Sequence, residues 1–170
     1  MMAFEFAYSL NGNLASVVKD LPLDTLTNYQ NGTGTNGVKR GDLVFLNNGL
    51  VRRTGATTGQ AVGVVQGKEF MGLVAQGQEY AATNSSFTAE ALNTTKYPNG
   101  VVKVNMDNYA VYRVPVKSGQ TATNANIGKV YGIAVDAKGD QTVDLTNTTQ
   151  TVVKVIDISK DGKTVFVKLV

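Results

Sequence analysis

Hydrophobic positions in this chain follow one pattern before residue 38 and another after it. In the opening FEFAYS, Phe4, Phe6 and Tyr8 alternate with Glu5, Ala7 and Ser9, a period of two that places three rings on one face of an extended strand. Next, Leu14, Val17, Val18 and Leu21 recur at helical spacing, with Asn13 before them as a cap and Pro22 after them as a stop, so a short helix is predicted. The stretch LTNYQNGTGTNG, residues 26–37, is polar and glycine-rich and reads as a linker. Residues 1–37 are therefore predicted to be an N-terminal arm and linker, and residues 38–170 the body.

From Val38 onward the apolar runs are short and β-branched. Leu43 to Leu46, Leu50 to Arg53, Ala61 to Val65, Phe70 to Ala75, Val101 to Met106, Tyr109 to Val114, Val130 to Val135 and Thr142 to Leu145 are separated by Gly, Asn, Asp or Ser clusters. Only SSFTAEALNTTK, residues 85–96, offers a second candidate helix. The C-terminal VVKVIDISKDGKTVFVKLV predicts a hairpin turning at Asp161 and Gly162, with Ile158 opposite Val165, Asp157 opposite Phe166, Ile156 opposite Val167 and Lys154 opposite Leu169. The expected class is all-β, a mainly antiparallel barrel or sandwich with an N-terminal arm and at most one or two short helices. No repeat of fixed period is visible.

Composition narrows the chemistry more than the fold. A chain of 170 residues, 42% apolar and 17% charged, can build a core without staples, and 18 glycines with 3 prolines suit many turns. Neither histidine nor cysteine occurs, which removes disulfides, thiolate metal sites and most pairings of a nucleophile with a base. The opening MMAFEFAYSLNGNL lacks the layout of a secretory signal and no window approaches the ~20 apolar residues of a membrane span, so a soluble protein is expected. A net charge of +3 is spread along the chain, with no polybasic block and no aromatic residues interleaved with the basic ones, which disfavours nucleic acid as a partner.

Individual motifs mostly yield bland readings. GTGTNG, residues 32–37, satisfies the dinucleotide-binding string but lacks a preceding strand and a following helix, so no cofactor is expected. Asp136, Asp140 and Asp144 are evenly spaced, yet not as in a calcium loop, and turn carboxylates account for them; no metal is expected. Acceptor triplets at Asn31, Asn84, Asn93 and Asn147 matter only in a eukaryotic secretory route. Lys39, Arg40, Arg52 and Arg53 form the densest basic cluster. Arg52 and Arg53 are adjacent on a strand and point to opposite faces, so one of them must meet an acidic neighbour, a subunit boundary or water. No catalytic residues and no small-molecule substrate are expected, so a non-enzyme is expected.

Three stretches carry a likeness. RGDLVFLNNGLVRRTG followed by AVGVV, then YRVPVKSGQTATNANIGKVYGIAVDAKG, and finally TVFVKLV resemble the small capsid decoration, or cement, proteins of tailed bacteriophages. Val114, Pro115, Gly119, Ile127, Gly128, Lys129, Val130 and Tyr131 carry its most specific part, and residues 76–108 stand as an insertion. The resemblance implies a non-enzymatic β-barrel homotrimer, made in the host cytoplasm and placed on the outer surface of the expanded capsid, where it bridges major capsid protein subunits. On that reading the candidate partner-binding residues are Phe4, Phe6, Tyr8, Arg52 and Arg53, with the arm adding a strand to a neighbouring subunit's sheet. Equally open is that the same aromatic strand folds back as core. A different class, a β-sandwich module that binds carbohydrate or a cell surface on a fibre or adhesin, is the alternative.

Overall fold

A computed structural model describes residues 4–10, 18–24, 38, 40–69 and 101–170, with residues 67–69 and 101 described in their backbone alone. Among these residues the chain forms eleven strands: β1 (Glu5–Ser9), β2 (Val18–Pro22), β3 (Leu43–Asn47), β4 (Leu50–Arg53), β5 (Gly63–Glu69), β6 (Val101–Asn105), β7 (Ala110–Pro115), β8 (Val130–Val135), β9 (Gln141–Asp144), β10 (Val153–Ile158) and β11 (Thr164–Leu169). One turn of 3-10 helix, Asn124–Asn126, is the sole helical element among them. The all-β class is thus observed. Six strands make one sheet in the order β1-β7-β11-β10-β8-β9, and five make a second in the order β2-β6-β5-β3-β4.

Strand pairing within both sheets is antiparallel, and single parallel bridges, Val116 with Val143 and Leu23 with Val51, draw distant strands of each sheet toward one another. Of the two expected architectures, the sandwich fits the described residues, whose sheets are not a closed barrel.

Burial explains why β3 and β5 do not alternate. Leu43 and Val64 are register partners and join the main core with Phe4, Tyr112, Tyr131, Ile133, Val153, Val155, Val165 and Val167. Val44 and Val65, one residue along, point the other way into a second cluster with Leu23, Val38, Val51, Val102 and Val104. Strands covered on both faces read as continuous apolar runs, which is how LVFL and GVV read. The tight turn between β3 and β4 follows from Asn48 and Gly49, whose φ values of 50° and 79° fit the two left-handed positions of a two-residue hairpin.

One expectation for the N-terminal region is corrected. Residues 18–22, predicted as the end of a helix, are an extended edge strand paired with β6, and Pro22 is tolerated there because an edge position needs no second ladder donor. The rest of that helix, the 85–96 helix, residues 26–37 and residues 76–100 lie outside the described residues. Strand β1 pairs with β7 and β2 with β6, so the described part of residues 1–37 pairs into the two sheets, in keeping with the fold-back that the sequence left open. The last part of the predicted insertion, β6, sits between β2 and β5.

The C-terminal hairpin forms with one slip. Ile158 faces Val165 and Asp157 faces Phe166 as expected, but a bulge between Val155 and Asp157 shifts the remainder by one, so Val155 faces Val167 and Val153 faces Leu169. Without the bulge, strict alternation from Val153 and Val155 would carry Asp157 into the core; the extra residue turns it outward. At the turn Gly162 N donates to Ser159 O (2.9 Å) with φ 66°, and a Cβ there would lie 2.4 Å from Ala122 O. Only glycine satisfies both the conformation and the approach.

Candidate functional site

The first candidate surface is the outer edge of β1. Phe4, at its start, is 2% exposed and belongs to the main core, whereas Phe6 (37%), Tyr8 (40%) and Leu10 (49%) reach solvent. The register shifts between Phe6 and Tyr8, which breaks the single aromatic face expected from alternation. Phe4 and Phe6 both meet Tyr112 edge-on, with centroids 6.3 and 6.2 Å away. Tyr109, 56% exposed, extends the strip: its N–H donates to Asp107 Oδ1 (2.8 Å), its carbonyl accepts from Leu10 N (2.9 Å), and Ser9 Oγ donates to Asp107 Oδ2 (3.2 Å). Burial, and secondarily the Asp107 charge, push the Tyr112 phenol well above its ordinary pKa.

The second is a polar junction between the sheets. Arg53 is buried, with Nε 2.9 Å from Asp42 Oδ2 and Nη2 donating to Gly139 O and, at 3.3 Å, to Asp42 Oδ1. Arg52, on the opposite face of β4, pairs with Asp24 through Nε to Oδ2 (2.8 Å) and Nη2 to Oδ1 (3.3 Å). Of the three outcomes open to one of the two, an acidic neighbour, a subunit boundary or water, the acidic neighbour is found, and for both arginines. Arg53 is thereby committed to the interior, while Arg52 keeps one third of its side chain exposed. Gln141, fully buried on β9, accepts from Leu43 N (2.6 Å) and donates to Leu43 O (3.0 Å) and Thr54 O (2.7 Å), so a side chain of one sheet splices into the backbone of the other.

Beside this junction lies a cavity of about 410 Å³ lined by Phe45, Arg52, Arg53, residues 54–58 and Val135. Sequence reasoning missed it, and it missed Asp24, Asp42 and Gln141, whose partners are set by tertiary pairing between distant segments. A β-branched run followed by two arginines did mark β4 as a strand that must compensate charge, which was the available signal.

Chemistry elsewhere is sparse. No group of three or more acidic, histidine or cysteine side chains able to hold a metal occurs among the described residues. Asp136 accepts from the N–H groups of Lys138 (2.9 Å) and Asp140 (2.8 Å), as a turn carboxylate does. Asp144 belongs to a separate cluster: burial pushes its pKa up, but donors from Lys117 (2.7 Å), Gln120 (2.8 Å) and Thr146 (2.6 Å) outweigh it and hold the carboxyl well below the usual range. The GTGTNG stretch and the acceptor triplets at Asn31, Asn84 and Asn93 lie outside the described residues; Asn147 Nδ2 donates to Ala56 O (3.1 Å).

Compared with known proteins, the chain matches no family model, no curated protein and no solved structure.

Proposed function

We propose that this protein is a virion component that decorates the expanded capsid of a tailed phage, bridging neighbouring major capsid protein subunits as a homotrimer. The observation that carries the reading is the β1 edge. It bears three exposed apolar side chains, Phe6, Tyr8 and Leu10, with Tyr109 beside them. Such an edge suits an extended segment of a partner: main-chain groups supply the pairing and rings supply the pockets. Where the sequence suggested that β1 adds itself to a neighbour, its pairing with β7 supports the reverse arrangement, in which a neighbour's strand would add to β1. The quoted likeness to decoration proteins and a residue inventory without histidine or cysteine point the same way.

The physics of such a role is linkage. A subunit that binds only the expanded lattice stabilises it by about 2.7 kcal/mol per site at a hundred times its dissociation constant, and three linked contacts strengthen the hold through effective concentration. The test is co-sedimentation of the purified protein with precursor and expanded shells, with its mass measured by analytical ultracentrifugation. A trimer that pellets only with expanded shells, and loses binding at least tenfold in Tyr8→Asp with its circular dichroism unchanged, is expected. A monomer indifferent to both shells sinks the proposal.

A further inference from the structure

The cavity beside the inter-sheet junction shares no residue with the β1 edge and calls for its own account. Phe45 and Arg52 are register partners across the β3–β4 hairpin, so their side chains leave the same face. Residues 54–58 form its rim and are held from several sides: Gln141 Nε2 donates to Thr54 O (2.7 Å), Asn147 Nδ2 to Ala56 O (3.1 Å), Gly55 N to Thr58 Oγ1 (3.3 Å) and Thr58 N to Gly55 O (3.1 Å). The rim is therefore pre-organised, which removes an ordering penalty on binding.

The lining selects a ligand class. Both guanidinium groups are already compensated, Arg52 by Asp24 at 2.8 Å and Arg53 by Asp42 at 2.9 Å, so an anion entering the cavity would compete with carboxylates fixed in place. A neutral ligand faces no such competition. The pair with Asp24 uses only some of the Arg52 N–H donors and fixes the direction of the others. The Thr58 hydroxyl oxygen accepts from Gly55 N and keeps its hydrogen to donate. Phe45, Ala56 and Val135 supply the apolar side. A volume of about 410 Å³ falls within the roughly 300–1,000 Å³ of small-molecule sites. An apolar wall with a ring, flanked by fixed donors and hydroxyls, matches a molecule with one C–H-rich face and a rim of hydroxyl groups.

We propose that this cavity binds a neutral sugar ring, stacked on Phe45 and hydrogen-bonded by Arg52 and the residue 54–58 rim. The test is amide chemical-shift mapping of the full chain with methyl glucoside, methyl galactoside, N-acetylglucosamine and inorganic phosphate, alongside an array of neutral and acidic glycans. Shifts confined to residues 45, 52–58 and 135 with at least one neutral sugar, and none with phosphate, are expected. Phe45→Leu keeps an apolar side chain and should weaken binding about tenfold, the scale of a lost aromatic contact. Ala56→Trp, which fills the cavity from an exposed position, should abolish it; Thr57→Trp does the same if the first variant misfolds. No response to any neutral sugar or array glycan, a response that survives both tryptophan variants, or a response to phosphate in place of the sugars overturns the proposal.

Discussion

Replacing Gln141 with leucine tests how far the two sheets depend on one side chain. The wild-type amide accepts from Leu43 N at 2.6 Å and donates to Thr54 O at 2.7 Å, standing between two groups that would otherwise be one ladder bond. Leu43 O has a second donor, Thr54 N at 2.9 Å, and survives the loss. Gln141→Leu therefore strands one buried N–H and one buried C=O, at about 1–3 kcal/mol each. The gain from burying a more apolar side chain offsets about 1–2 kcal/mol. A net loss centred on about 2.5 kcal/mol remains, which at a urea slope of roughly 2 kcal/mol/M lowers the unfolding midpoint by about 1 M. Gln141→Glu sharpens the test. Its carboxylate would still accept from Leu43 N but would face the Leu43 and Thr54 carbonyls, and burial would raise its folded pKa above the unfolded value. That variant should be most stable below pH about 4.3 and lose stability as pH rises through the folded pKa, a dependence the leucine variant lacks. Midpoint shifts below about 0.5 M in both, with slopes unchanged, would mean that Leu43 N closes directly onto Thr54 O and that the splice is dispensable.

Other outcomes follow from the same contacts. Asp42→Asn removes the carboxylate charge 2.9 Å from the buried Arg53 guanidinium and should cost about 3–5 kcal/mol in urea unfolding, whereas Asp42→Leu combined with Arg53→Met should recover much of that loss. Because the folded pKa of Tyr112 lies above its unfolded value, the neutral phenol stabilises the fold fully below pH about 10 and ceases to do so as pH climbs toward the folded pKa; Tyr112→Phe should shift the alkaline unfolding midpoint upward. Gly162→Ala meets both a left-handed φ of 66° and Ala122 O at 2.4 Å, and should lower the thermal midpoint by several degrees, at more than ~1 kcal/mol.

Much of the body was legible because its signals are local. Short β-branched runs between turn residues gave most of the strands from β3 onward, and the Asp-Gly turn gave the start of the last hairpin with Ile158 against Val165. The bulge beyond it was not legible by period alone, although its cause is written in the chain: Asp157 breaks the inward series Val153, Val155 and must be turned out. Val18 to Pro22 failed for the opposite reason. Its spacing fits a helix turn as well as it fits a strand, and pairing with β6 decides between them. Gln141 carries no sequence mark at all, since its partner Leu43 lies 98 residues away. The candidate residues divided the same way: the alternation of Phe4, Phe6 and Tyr8 correctly signalled a strand, while which rings face the core depends on the register shift at Ala7 and on Tyr112.

Treatment of the sheet edges links this architecture to association. Unpaired edges invite other strands, and proteins blunt them with proline, bulges, charge or cover. In the second sheet the two outer strands β2 and β4 are drawn together by the bridge between Leu23 and Val51 and by Asp24 N donating to Val51 O (3.1 Å), and β2 carries Pro22. In the first sheet β9 is engaged by Val116 and by Lys117 N donating to Val143 O (2.9 Å). Strand β1 is protected at its beginning, where Phe4 N donates to Gly41 O (2.8 Å) and Glu5 lies 3.8 Å from Arg113. Past the register shift the protection among the described residues ends, and Tyr8 and Leu10 lie exposed just where pairing groups run along the edge. Among the described residues the other edges are engaged or capped and this one carries exposed apolar side chains, the layout that the proposed strand-acceptor role requires. On this layout Tyr8→Lys should reduce self-association and partner binding together while leaving the unfolding free energy within about 0.5 kcal/mol of wild type, as a surface substitution does; unfolding by that variant would instead make Tyr8 part of the core's support and remove the edge from consideration.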